Sequence, residues 1–143
     1  MSQDLVLLVD DEEEFTRVLA ERIKARGAHV DTAADGFEAL EKAKETSYDA
    51  IVLDLAMPKM DGLETLKQLL EVNPKLQVIL LTGHATVQAG VEAMKLGAVD
   101  VLEKPAQFQE LMECIDRAGA QKMILVEKQR EDVIRRILQS RGW

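Results

Sequence analysis

The stretch Leu5-Val6-Leu7-Leu8-Val9-Asp10-Asp11 decides the fold. Five consecutive apolar residues have the length of a strand, and two carboxylates stop them abruptly. A strand apolar on both sides is one buried on both sides, which is the habit of parallel sheets covered by helices. The same pattern returns in Ala50-Ile51-Val52-Leu53, ended by Asp54, and in Val78-Ile79-Leu80-Leu81, ended by Thr82. Two less regular runs, Ala28 to Thr32 and Ala98 to Leu102, bring the expected strands to five, the last one stopped by Lys104-Pro105.

Helical patterns separate these runs. Phe15, Val18, Leu19 and Ile23 recur at helical spacing, with Gly27 just past the end. Asp35-Gly36 leads into Ala39, Leu40 and Ala43, and Leu63, Leu66, Leu69 and Leu70 are closed by Asn73-Pro74. Val87, Val91 and Met94 then precede Gly97. Helix-length connections between strands predict a parallel arrangement, an α/β fold with a doubly wound five-stranded sheet.

The chain has 143 residues, about one domain, and its apolar fraction of 47% is enough to bury a core. The charge is uneven. Residues 1–116 carry 11 basic and 23 acidic side chains, a net of −12, and residues 117–143 carry 7 basic and 3 acidic, a net of +4. The acidic body argues against a nucleic-acid-binding domain, and the basic tail suggests a separate task. A single cysteine, Cys114, excludes an internal disulfide framework and is read as a small hydrophobe on a helix face. With no long apolar stretch and no signal-like N-terminus, the expectation is a soluble, cytoplasmic protein with no membrane partner.

In open parallel sheets, ligands bind beyond the carboxyl ends of the strands. Four expected strands end in Asp10-Asp11, Asp54, Thr82 and Lys104, and the successive intervals from Asp10 onward are 44, 28 and 22 residues. Three carboxylates, a hydroxyl and an ammonium should therefore converge on one rim. Crowded carboxylates repel one another unless a cation sits among them, and hard oxygen ligands without His or Cys favour Mg2+. A carboxylate beside such an ion can attack phosphorus and form an aspartyl phosphate, with the metal, Lys104 and Thr82 sharing the charge on the phosphoryl oxygens.

At this point the sequence resembles the receiver domains of two-component response regulators. The resemblance rests on Leu8-Val9-Asp10-Asp11, on Asp54-Leu55-Ala56-Met57-Pro58-Lys59-Met60-Asp61-Gly62, on Leu81-Thr82-Gly83-His84, and on the run from Gly97 to Pro105. It covers residues 5 to about 116 in the expected order. It implies a flavodoxin-like (βα)5 fold and a signalling role, with catalysis limited to the domain's own phosphorylation and dephosphorylation. Asp54 would be the phosphoacceptor, supplied by a histidine on a sensor kinase. Asp11, Asp54 and the backbone carbonyl of Ala56 would hold Mg2+ directly, and Asp10 through a water. Thr82 would hydrogen-bond the phosphoryl group and Lys104 would pair with it, beside a typically cis bond to Pro105.

Three features depart from the family pattern. Val101 stands where the family carries Tyr or Phe, three residues before the lysine, so the usual aromatic switch is missing and the readout should depend less on the last strand. Ala56 offers no group to orient an attacking water, whereas His84, two residues after Thr82, could donate a hydrogen bond or be an exposed loop histidine. The third departure is the tail. With the body taken as 1–118, residues 119–143 are expected to form a helical extension in which Val126, Val133 and Ile137 share a face that Gln129 and Arg130 interrupt. A solvated extension, a dimerising segment, a docking segment and a linker all remain open readings, and the tail is too short for a helix-turn-helix module with its own core. A homodimer could use helix 86–96, the last strand or the tail.

A haloacid-dehalogenase-type phosphatase needs a second Asp two residues after the first, where Ala56 stands. A dinucleotide carrier needs a Gly-x-Gly-x-x-Gly after the first strand, and none follows. A phosphorylation-independent interaction module on the same fold is the alternative, against which stands the retention of all five site residues.

Overall fold

A computed structural model of the chain describes residues 4–55, 61–83, 87–104 and 107–140. Five strands alternate with five helices. They are β1 (Leu5–Val9), α1 (Glu13–Ala25), β2 (His29–Ala33), α2 (Gly36–Glu45), β3 (Ala50–Asp54), α3 (Gly62–Val72), β4 (Val78–Thr82), α4 (Val87–Leu96), β5 (Asp100–Glu103) and α5 (Phe108–Ser140). All strands are parallel in the order β2-β1-β3-β4-β5. The doubly wound α/β architecture expected from the apolar runs is the one observed.

Side-chain alternation divides the core into two layers. Leu7, Val9, Ile51, Leu53, Val78 and Leu80 pack against Ala39, Leu40, Leu66, Leu69 and Ala93 of α2, α3 and α4. Their neighbours Val6, Leu8, Ala50, Val52, Ile79 and Leu81 pack on the other face against Leu19, Ala20 and Ile23 of α1 and Leu111, Met112, Ile115 and Ala118 of α5. The three continuous apolar strands therefore feed both layers, which is why they lack a polar side.

Two strands fall later than the apolar pattern places them. The second runs over His29–Ala33, where Ala28 to Thr32 was expected, and the fifth over Asp100–Glu103, where Ala98 to Leu102 was expected. In each case the preceding segment finishes a helix end. Gly27, with φ of 100°, donates its N–H to the Lys24 carbonyl at 2.9 Å, and the Ala98 N–H reaches back to Ala93 at 3.0 Å. Ala28 and Ala98 are buried but serve as entries to the strands. Apolarity alone cannot separate a strand from the buried residue that leads into it.

The last helix is one continuous element of 33 residues, so residue 118 falls inside it and not at a loop. Its first part is buried through Leu111, Met112, Cys114, Ile115, Ala118 and Gly119. Beyond that point Met123, Ile124, Val126, Val133, Ile134, Ile137 and Leu138 are exposed. Among the described residues no helix is long and apolar enough to cross a membrane.

Candidate functional site

Sheet register brings the polar residues together. Val9 pairs with Leu53, so the next residue on each strand, Asp10 and Asp54, stands at the same level of the carboxyl edge. Asp54 in turn lies opposite Leu81, one residue before Thr82. The Lys104 N–H donates to the Thr82 carbonyl at 2.7 Å, which extends the ladder one residue beyond β5 and fixes the lysine's backbone.

Carboxylate oxygens of Asp10, Asp11 and Asp54 all lie within 4.8 Å of one another. Asp10 and Asp54 are buried and Asp11 is exposed, so the cluster opens to solvent on one side. Asp10 spends one oxygen on the Glu12 N–H at 3.0 Å and the other on the Lys104 ammonium at 3.0 Å. The same ammonium is 3.6 Å from Asp54 and 3.8 Å from Glu12. Burial pulls the Lys104 ammonium towards neutrality more strongly than any other single influence. The Asp10 hydrogen bond and the charges of Asp10, Asp54 and Glu12 together outweigh it, and its pKa lies above the ordinary 10.5.

Three carboxylates and one ammonium still leave a surplus of negative charge in a mostly buried space. An all-oxygen donor set of this kind fits a hard divalent cation such as Mg2+. Thr82 is half-buried at the end of β4, and its hydroxyl donates to the neighbouring Gly83 carbonyl at 2.8 Å. Asp10, Asp11, Asp54 and Lys104 are thus brought together, with Thr82 at the end of the adjoining strand. Ala56, His84 and Pro105 lie outside the described residues.

Two contributors carry no role in the sequence reading. Gly62 approaches the strand so closely that a Cβ there would sit 2.4 Å from the Leu55 Cα and 2.8 Å from the Asp54 carbonyl oxygen. Its N–H donates to the Leu55 carbonyl at 2.9 Å, which ties the start of α3 to the residue after Asp54. The available signal is Asp61-Gly62 itself, a capping residue followed by the one residue without a side chain, and Asp61 does accept the Glu64 N–H at 2.8 Å. The second is Phe15, whose ring lies 4.6 Å beneath the Lys104 ammonium.

Val101 packs against the core layer on the α4 side, and a Cβ on Gly90 of α4 would lie 3.5 Å from its Cγ1. A small, partly buried branched side chain thus stands between β5 and α4. Cys114 is buried as expected, and burial with a hydrogen bond to Asp100 pushes its thiol up to about 11.

The family model for the response regulator receiver domain matches residues 6–116. The transcriptional regulatory protein ZraR of Klebsiella oxytoca is 37% identical over 115 residues, covering 80% of this chain and 26% of that protein. The DNA-binding transcriptional regulator NtrC of Escherichia coli K12 is 36% identical over 118 residues, covering 82% and 25%. A receiver domain protein from Clostridium thermocellum superposes with a TM-score of 0.82 at 32% identity, covering 85% of this chain and 98% of that one. NtrX from Brucella abortus gives 0.83 at 27% identity, covering 90% and 29%. The chain spans about a quarter of the length of the curated relatives it matches.

Proposed function

This chain belongs to the response regulator receiver domains, and on that premise we propose that Asp54 is its phosphoacceptor. A carboxylate oxygen of Asp54 attacks the phosphorus of a phosphohistidine on a sensor histidine kinase. The new O–P bond forms as the P–N bond to imidazole breaks, and the domain changes what its surface binds. The observation that carries the reading is the gathering of the Asp10, Asp11 and Asp54 oxygens within 4.8 Å, with the Lys104 ammonium 3.6 Å from Asp54.

Asp10, Asp11, Asp54 and the Ala56 carbonyl would hold Mg2+, which when bound offsets charge on the phosphoryl oxygens. Lys104 would exchange its Asp10 partner for a phosphoryl oxygen, and Thr82 would turn its hydroxyl from the Gly83 carbonyl to another. That reorientation shifts a pre-existing equilibrium, and Val101, with no aromatic ring to swing, leaves α4 rather than β5 as the element that moves. We further assign residues 1–118 to the receiver and 119–143 to a segment for dimerisation, docking or linkage, operating in the cytoplasm. The division is supported by the fully buried residues of α5, of which Gly119 is the last, and by the apolar residues exposed beyond it.

Incubation with Mg2+ and a small-molecule phosphodonor should give a base-labile mass gain that Asp54→Asn abolishes. A wild-type chain that takes up no phosphoryl group under those conditions overturns the reading in favour of a phosphorylation-independent interaction module.

A further inference from the structure

On α1 and its C-cap, Phe15, Val18, Arg22 and Arg26 recur at spacings of three and four, on the flank that faces the start of α5. This is not the helix's buried face, which is made by Thr16, Leu19, Ala20 and Ile23. Phe15 is 36% exposed, so burial alone does not account for an aromatic residue there. Its ring instead carries the Lys104 ammonium at 4.6 Å, while further along the same flank the Arg22 guanidinium lies 4.0 Å from the Phe108 ring. The two contacts cross the α1–α5 junction in opposite senses, aromatic from α1 to cation and cation from α1 to aromatic. Between them is a cavity of about 110 Å³ whose lining includes Phe15, Val18, Leu81 and Leu111.

A lysine that must serve a transferring phosphoryl group faces competing demands. Asp10 holds it at 3.0 Å, and the exposed Glu12 carboxylate 3.8 Å away draws it outwards to solvent. A further carboxylate could steady the ammonium only by occupying one of its three N–H donors. An aromatic face stabilises the charge through its quadrupole without binding an N–H to a fixed acceptor atom, so the donors stay free to re-aim.

We propose that Phe15 is a positioning residue for Lys104: its ring holds the ammonium beside Asp10 and within 3.6 Å of the Asp54 carboxylate while leaving N–H donors for the incoming phosphoryl group. The Lys104 N–H bond to Thr82 fixes the backbone end of the side chain, and Phe15 fixes the charged end. This inference rests on the phosphoacceptor reading of Asp54 and adds to it the element that aims the lysine.

The test compares Phe15→Leu, which keeps apolar bulk without a quadrupole, with Phe15→Trp, which keeps both, in the full chain with Mg2+ and a small phosphodonor. Phe15→Leu should slow phosphoryl uptake about three- to tenfold, and Phe15→Trp should stay within about twofold of wild type. The split between Phe15→Leu and Phe15→Trp separates ring electrostatics from apolar packing, and proton NMR tests the contact on which the proposal stands. The Lys104 Cε protons should be shifted upfield by the ring in wild type and return to the usual lysine position in Phe15→Leu. Unchanged uptake by Phe15→Leu, or lysine protons without a ring shift in wild type, overturns the proposal while leaving Asp54 as acceptor. Uptake that persists in Asp54→Asn overturns the parent reading, and the proposal falls with it.

Discussion

Lys104 and Lys122 are buried to nearly the same degree, with side chains 20% and 17% exposed, and each is held against an aspartate. They occupy opposite edges of the sheet. At the carboxyl edge one ammonium serves Asp10, Asp54 and Glu12, with Asp11 beside them. At the amino edge Lys122 of α5 meets Asp49 at 3.2 Å and donates to the Ser47 hydroxyl at 2.9 Å, and the other Asp49 oxygen accepts the Leu5 N–H at 2.8 Å. Seven residues on, Gln129 accepts a hydrogen bond from Lys75, which places a second tie two turns along the same face of the helix. The amino edge is balanced and closed, a clamp between α5 and the loops before β3 and β4. The carboxyl edge keeps a surplus of negative charge and an open side. Imbalance, more than the presence of charge, sets the candidate site apart: compensated groups hold structure, and an uncompensated cluster favours a cation or a reactant.

The most damaging way to break this contrast is Gly62→Ala. A methyl group 2.4 Å from the Leu55 Cα forces the backbone beside Asp54 to move. Phosphoryl uptake should fall more than about tenfold, and stability should fall by about 2 kcal/mol or more in a urea titration. An alanine variant with wild-type uptake would show that the edge tolerates displacement.

Lys104→Met deepens the surplus. Without divalent ions the variant should lose about 1–3 kcal/mol, because Asp10 and Asp54 lose their cation. Mg2+ should raise its melting temperature by more than it raises that of wild type, as measured by calorimetry at matched ionic strength. A smaller rise than in wild type would contradict the account of the edge as short of positive charge.

At the other edge, Lys122→Met should cost about 1 kcal/mol, with the effect confined to α5. Amide exchange from about Gln121 onwards should quicken while phosphoryl uptake stays at the wild-type rate. A change in uptake would mean that the clamp communicates with the site.

The smallest effect concerns Tyr48, one residue before Asp49. Its hydroxyl donates to Asp31 at 2.7 Å, and burial together with that carboxylate pushes the phenol from 10.0 up to about 12. The folded state favours the protonated form, so this contribution is fully present below pH 10 and is lost as pH rises through about 12. Wild type should keep a constant stability advantage over Tyr48→Phe up to about pH 10 and lose it above, in denaturant titrations across that range. An advantage that disappears already near neutrality would place the phenol elsewhere.

Much of this was legible in the sequence. Leu5 to Val9 and Val78 to Leu81 are apolar without interruption because both faces of those strands are covered, and that pattern alone implies a doubly wound parallel sheet. Asp10, Asp54, Thr82 and Lys104 were recognisable because the carboxyl ends of parallel strands share one edge whatever the details of packing. The entries of β2 and β5 were not legible, since Ala28 and Ala98 are as buried as strand residues. Nor was the role of Phe15, which depends on a distance to Lys104 across elements far apart in the chain, whereas Gly62 meets Asp54 and Leu55 close by in sequence but only through the path of the intervening turn.

The order of apolar runs and terminal polar residues thus implied the architecture and which residues share the carboxyl edge, because both follow from periodicity and from the geometry common to all parallel sheets. Only the tertiary structure decided how the charges are apportioned. It shows that Asp10 and not Asp54 is the nearer partner of Lys104, that an aromatic ring supports the ammonium, and that Lys122 and Gln129 of the basic tail fasten α5 to the amino edge. Coulomb and hydrogen-bond energies change over ångströms, whereas sequence spacing resolves only which residues share an edge.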